Sequence, residues 1–341
     1  MKWRSFLPAA ELTTALVVLL AAYLGLAELG WVTWAPAGEE TLAPVGDGAA
    51  GGEDGRIITR VIDPIGDDRG PGSYAYPTNP GFAPGKGLFD LLSFTVREKG
   101  ENVYFDLEFG AVTNPWRAPE GFFHQRVDVF IDAVSGAGRT TLVEDGASVQ
   151  FCAEHPWDLW LRGEPWGGSA LLDAEGRVLG DVTDGKAAVE VLPDARTIRW
   201  RIARTALGKE PRPGWWYYVL VGGYDTFGPS RYRAVFPKAS EWYFGGGGAA
   251  MLHPLVIDVL APARGPRSQK AQLTSYSTAR RRLATLYPVS AGSGKRARAG
   301  VEAAGRGGDG NALLRPLWVA VMAGLVFMLG RQALRALRLL R

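Results

Sequence analysis

Carboxylates on a glycine-rich turn are the first residues in this 341-residue chain that could do chemistry. The block runs Asp63-Pro64-Ile65-Gly66-Asp67-Asp68-Arg69-Gly70-Pro71-Gly72-Ser73-Tyr74-Ala75-Tyr76-Pro77. Acidic side chains on such a turn can converge oxygen ligands on a hard cation, and calcium takes carboxylate and carbonyl oxygens in flexible geometry. Asp67 and Asp68 are the expected ligands of a structural calcium ion. The alternative is a solvated turn in which the aspartates cap backbone N–H groups.

A second group is aromatic. His155-Pro156-Trp157-Asp158-Leu159-Trp160-Leu161-Arg162-Gly163-Glu164-Pro165-Trp166 places three indoles among polar neighbours, with Trp116, Trp242 and Tyr243 elsewhere. Indole faces beside carboxylates and amides suit stacking on sugar C–H faces plus hydrogen bonds to hydroxyls. Trp157, Trp160 and Trp166 are therefore the expected carbohydrate-binding residues. Core packing is the competing reading for each, and it is the one expected for Trp200 and Trp215.

Catalytic patterns do not emerge. His124, His155 and His253 lack HExxH or any other metal spacing, no G-x-S-x-G elbow occurs, and Gly294-Lys295-Arg296 is not a phosphate loop. Carboxylates are plentiful, but one sequence cannot pair them in space, so a glycosidase dyad is neither shown nor excluded. Cys152, the single cysteine, rules out an intrachain disulfide and a Cys-rich metal site; between Phe151 and Ala153 it reads as core.

The elements that must position these residues are short strands. In Asn102-Val103-Tyr104-Phe105-Asp106-Leu107-Glu108-Phe109 the apolar residues alternate, which marks a half-buried strand, and residues 89–97 form its hairpin partner across Lys99-Gly100. Similar runs fall at 57–62, 126–132, 148–151, 177–180, 187–191, 197–202, 216–222 and 255–260. About ten short strands, 45 Gly, 22 Pro and no long amphipathic helix predict an all-β antiparallel sandwich. A short helix is expected within 275–287.

Two apolar segments bracket this region. Lys2 and Arg4 precede an uncharged run from Leu12 to Ala27, so residues 1–34 read as a signal peptide or signal-anchor helix. Residues 35–56 form an acidic flexible linker, and residues 276–312 a basic, partly disordered one. Pro316 to Gly330 is uncharged, and Arg331, Arg335, Arg338 and Arg341 then fall on one helical face; residues 313–341 read as a transmembrane helix with a basic cytoplasmic end. Both ends thus place the main domain, 57–275, outside the cytoplasmic membrane. The net charge of +3 hides a segregation, because residues 57–262 hold 20 basic and 26 acidic side chains. That acidic balance excludes nucleic acid as the domain's partner.

The chain also resembles a known family. Asp63-Pro64 through Tyr76-Pro77, Gly87-Leu88-Phe89-Asp90-Leu91, Asn114-Pro115-Trp116, Gly121-Phe122, Val129-Phe130-Ile131-Asp132 and Gly214-Trp215-Trp216-Tyr217-Tyr218-Val219 occur in order, followed by Gly223-Tyr224-Asp225, Phe244-Gly245-Gly246-Gly247 and Val256-Ile257-Asp258-Val259-Leu260. These motifs, over about residues 57–275, resemble the C-terminal module of glucodextranases, which is similar to surface-layer-associated domains and related to DOMON and family nine carbohydrate-binding sandwiches. The resemblance implies a β-sandwich that binds glycan or holds a protein at the cell surface, without hydrolysis. A membrane-tethered, non-catalytic module for carbohydrate or cell-envelope glycan is the expected function. The alternative is a structural module docking an envelope or surface-layer protein.

Overall fold

The computed structural model describes residues 55–82, 86–248 and 252–290. Thirteen strands carry these regions. They are β1 (Arg56–Ile62), β2 (Leu91–Lys99), β3 (Asn102–Phe109), β4 (Gln125–Asp132), β5 (Val149–Phe151), β6 (Leu159–Gly163), β7 (Ala170–Asp173), β8 (Val178–Asp181), β9 (Ala187–Val191), β10 (Thr197–Ala203), β11 (Trp216–Gly223), β12 (Val256–Val259) and β13 (Ala284–Leu286). Two antiparallel sheets, ordered β1-β2-β3-β10-β9 and β12-β11-β4-β6-β7-β8, bury one shared core. That is the all-β antiparallel sandwich which the alternation predicts.

The five-stranded sheet obeys the period of two. Val103, Phe105, Leu107 and Phe109 of β3 are fully buried, as are Ile198, Trp200 and Ile202 of β10. Gly100 turns the β2–β3 hairpin at φ 56°, a left-handed conformation that favours glycine.

The six-stranded sheet departs from that period, because all eight residues of β4 are buried. Val127, Val129 and Ile131 face the first sheet. Phe130 on the other face is covered by the excursion between β4 and β6, where β5 pairs in parallel with β13. Phe151 and Trp157 come from this cover and lie 4.7 and 5.0 Å from the Phe130 ring, while Trp160 on β6 stacks on it at 5.4 Å and 13°.

This second buried layer corrects the expectation for two tryptophans. Trp157 and Trp160 are 0% and 3% exposed, and their Nε1 atoms donate to the Thr141 carbonyl at 3.2 Å and to Asp128 at 2.8 Å. Neither offers a face to a sugar. Their density in a polar-looking segment reflects a sheet buried on both sides.

The chain's last described part differs from expectation as well. Helix α1 (Arg204–Leu207) is a single turn, and α2 (Gln269–Leu273), started by Ser268, ends before the segment where a helix was expected. Residues 284–286 are instead β13, so residues 276–290 belong to the fold rather than to a linker. No helix among the described residues is long and apolar enough to cross a membrane; the segments expected to do so, 1–34 and 313–341, lie outside the described residues, as does the acidic linker up to residue 54.

Trp157→Ala should cost about 3–5 kcal/mol of unfolding free energy, because it empties a closed aromatic layer. Urea denaturation checks this, and a loss below about 1 kcal/mol would show that the layer does not pack as described.

Candidate functional site

The acidic turn closes on a strand distant in sequence. Asp63 follows β1, Asp67 lies four residues on, and Asp258 sits in β12, flanked by Val256, Ile257 and Val259. One carboxylate oxygen from each of the three lies within 4.8 Å of the others. Asp63 and Asp258 are 2% and 0% exposed. Asp63 Oδ1 accepts from the Ala261 amide at 2.9 Å, and Asp258 Oδ2 from the Leu91 amide at 2.8 Å. Their second oxygens, and Asp67 Oδ1, are buried without a hydrogen-bond partner. No Lys or Arg pairs with any of the three among the described residues.

Burial followed by mutual repulsion governs their titration. Burial raises Asp63 and Asp258 well above the usual carboxylate range, with neighbouring aspartates adding to the rise. Asp67 is pushed up to about 6 by burial and then by Asp90. Asp90, raised by burial too, accepts the Gly66 amide at 2.9 Å. Unpartnered buried anionic oxygens are costly unless paired or coordinated to a metal. A calcium ion takes oxygens at about 2.3–2.6 Å, so ligands across one ion stand up to roughly 5 Å apart, and the three oxygens meet that geometry.

Of the two expected ligands, Asp67 joins this group. Asp68 turns away and accepts the Tyr76 hydroxyl. Asp258 was missed by sequence reasoning, although an aspartate inside Val-Ile-Asp-Val was a legible signal. Gln269 of α2 braces the same corner: its Oε1 accepts the Val259 amide at 2.7 Å and its Nε2 donates to the Gly70 carbonyl at 3.2 Å.

The exposed tryptophans gather at one end of the sandwich. β3 ends, β4 begins, β6 ends and β11 ends at the same pole, as Val127 opposite Gly163 and Gln125 opposite Gly223 show. The loops leaving that pole carry Trp116, Trp166, Phe227 and Trp242, which are 44, 49, 95 and 39% exposed. Trp116 and Trp242 are neighbours, with ring centroids 6.2 Å apart at 53°.

Each loop is fastened from below. Asn114 closes the turn bearing Trp116, accepting the Ala118 amide at 2.7 Å and donating to the Ala118 carbonyl at 2.8 Å. The Trp242 carbonyl accepts from Arg233 at 2.7 Å, and Asn79 donates its amide to the Glu241 carbonyl at 3.0 Å. Trp166 adopts φ 66°, and its amide and that of Gly167 donate to the Glu120 carboxylate at 2.9 and 2.6 Å. Sequence reasoning selected Trp166 and noted Trp116 and Trp242, but it could not see the last two meet.

His124 lies beneath this group, fully buried, with ring centroids 4.8 Å from Phe82, 5.3 Å from Phe123 and 6.1 Å from Trp116. Neither ring nitrogen has a partner. Burial, and secondarily Arg233, lowers its pKa to about 4, so at neutral pH the floor of the aromatic group is uncharged.

A sequence model described as the C-terminal binding-module, SLH-like, of glucodextranase matches residues 58–288, and the chain belongs to this family. No curated protein matches the chain. Among solved structures, a family 9 carbohydrate-binding module from Caldicellulosiruptor kristjanssonii in complex with cellotriose is 16% identical, over 52% of this chain and 70% of that one, at a TM-score of 0.25. A family 9 module from the same organism in complex with glucose is 16% identical, over 56% and 78%, at a TM-score of 0.26.

The depressed His124 pKa sets a pH dependence. The unfolded imidazole takes up its proton near 6.5 and the folded one only near 4, so this stabilising contribution is present above pH 6.5 and is lost as pH falls to 4. By pH 5 the loss should reach roughly 2 kcal/mol, and His124→Phe should remove that part of the acid limb. Urea denaturation of both proteins at pH 7 and pH 5 checks this; parallel acid limbs would refute it.

Proposed function

As a member of this binding-module family, the protein is, we propose, a non-catalytic module that recognises carbohydrate or cell-envelope glycan through the aromatic pole. The supporting observation is the exposed pair Trp116–Trp242, held on loops whose backbone is fixed by Asn114, Asn79 and Arg233. Rings ordered before binding lose little entropy when a sugar stacks on them, so their contact area converts into affinity. Asn79 and Glu241, joined at 3.2 Å beside Trp242, supply the amide and carboxylate that sugar hydroxyls need. Trp166 extends the surface on the next loop.

The same reading assigns Asp63, Asp67 and Asp258 to a structural calcium ion. The ion would tie the turn after β1 to β12. From that turn the chain runs to Thr78 and Asn79, whose amides donate to the Ser240 and Glu241 carbonyls beside Trp242. Cation binding and the order of the aromatic pole are thereby coupled. The segments at 1–34 and 313–341 supply the proposed membrane tether and place the module outside the cytoplasm. A second reading, docking of an envelope protein, draws on Phe227, whose 95% exposure adds an apolar ring at the same pole.

Full-length protein on a glycan array, followed by calorimetry, tests the first reading. Trp116→Ala/Trp242→Ala should weaken binding at least about 30-fold, the loss expected of interface hot spots worth about 2 kcal/mol together or more. Unchanged affinity would remove the aromatic pole from the reading, and a folded protein silent on every glycan would favour the docking role.

Calcium should raise the unfolding midpoint, with about 2.7 kcal/mol of added stability at a hundredfold excess over its dissociation constant. Asp258→Asn should abolish that response and also make the calcium-free protein more stable than wild type, since it removes a buried carboxyl whose ionisation burial and the neighbouring aspartates oppose. Thermal melts in calcium and in EDTA check both signs. A variant that still responds fully to calcium would overturn the assignment.

A further inference from the structure

The pole opposite the aromatic group holds a cavity. β11 starts at Trp216 and β4 ends at Asp132, and these two residues face each other in the ladder. Eight residues at ~3.3 Å each separate them from the aromatic end by about 25 Å. Asp132, Ser135, His155, Arg212 and Trp216 line a cavity of about 360 Å³ there, within the range that ligand sites occupy.

The groups in it are organised before any ligand arrives. Asp132, whose side chain is 5% exposed, holds His155 Nδ1 at 2.8 Å. The imidazole lies against Trp216 with ring centroids 4.2 Å apart at 36°. The Tyr218 hydroxyl donates to the His155 carbonyl at 2.7 Å and so fixes the segment that carries the ring. With Nδ1 engaged by Asp132, Nε2 has no hydrogen-bond partner among the described residues. Arg212 is exposed and has no ion-pair partner among them either.

We infer that this cavity is a second ligand site, for a single pyranose residue. Arg212 brings a guanidinium to the lining and Asp132 a carboxylate, a mixed charge that does not select a simple anion. What the lining offers is polar groups side by side: Arg212 donates, the Ser135 hydroxyl donates and accepts, and His155 Nε2 is open to a hydroxyl. Adjacent hydroxyls on a pyranose each donate and accept, and the Trp216 indole provides the apolar surface that the ring's C–H groups require. With a site at each pole, one module can hold two glycan strands, and the second contact then gains from the effective concentration set by the first.

The inference shares a ligand class with the aromatic pole but not its residues, so the two can be tested apart. The probe is full-length, ¹⁵N-labelled Trp116→Ala/Trp242→Ala protein, in a detergent without a sugar head group, titrated with glucose, maltotriose and cellotriose. The Trp216 indole resonance, identified by Trp216→Phe, is expected to shift saturably. Adding Arg212→Ala should weaken that response about tenfold or more, the effect of losing a hydrogen bond to a charged group. Arg212 is exposed, so this variant keeps the fold even if Trp216→Phe does not. No shift at Trp216, while the parent protein binds the same sugars, overturns the second site and leaves the aromatic pole standing. A shift at Trp216 in a protein whose aromatic pole proves inert leaves the second site standing alone. A response to inorganic phosphate but to no sugar overturns the ligand class, and silence of the parent towards every probe overturns both sites.

Discussion

A strand buried on both faces cannot carry a charge unless every charge is answered, and β4 carries three. Arg126 is 1% exposed, and it donates to Asp128 at 3.0 and 3.1 Å and to Glu164 at 2.5 Å. Asp128 also accepts the Trp160 indole and the Tyr232 hydroxyl, and Glu164 accepts Arg231. Asp132, at the strand's end, is held by His155. A buried network of this kind adds little net stability over an apolar core, but breaking it costs several kcal/mol. Its consequence is positional. Glu164 opens the turn bearing Trp166, and Tyr232 and Arg231 close the loop bearing Phe227, so two loops of the aromatic pole are bolted to the centre of the sheet.

The aspartate group is the converse case. Asp63, Asp67 and Asp258 bring carboxyl groups together, and no Lys or Arg among the described residues pairs with them. Asp158 shows the ordinary solution: it accepts the Ala133 and Val134 amides, each at 2.8 Å, and pairs with Lys209 at 2.5 Å. The oxygens of Asp63, Asp67 and Asp258 left without a hydrogen-bond partner are the ones the proposed cation would answer. A divalent ion fits because the turn is rich in glycine, which lets a short segment aim several oxygens inward.

Most strands could be read from alternation. Residues 102–109 and 187–191 match β3 and β9 to the residue, because one face of each is core and the other is solvent or ion pairs. The reading failed where that condition failed. β6 and β7 pack inside two layers, so Leu159-Trp160-Leu161 and Ala170-Leu171-Leu172 lose the period of two, and Trp160, like Trp157 just before β6, reads from sequence as surface. At the aspartate group, sequence could show the turn and its acids but not the strand 190 residues on that completes it. Trp116 and Trp242 are likewise brought together only by the fold, through loops whose sequence spacing carries no period.

The two broad faces of the sandwich are covered to different degrees. The outer face of the six-stranded sheet is roofed by β5, β13 and the Phe151–Trp157 layer. On the outer face of the five-stranded sheet, Asp106 ties β2 to β10, taking Arg97 at 3.0 Å and Arg199 at 2.6 and 2.8 Å, while Arg199 covers the Tyr104 ring at 5.1 Å. Among the described residues the exposed indoles, Trp116, Trp166 and Trp242, lie at one end of the sandwich. Gly55 precedes the start of β1, opposite the β2–β3 hairpin, and Val289 bridges to Tyr217, so both chain exits of the described body lie at the pole of Trp216. Trp116, Trp166 and Trp242 thus lie at the pole away from both ends of the described body, and the cavity beside Trp216 lies at the pole those ends share.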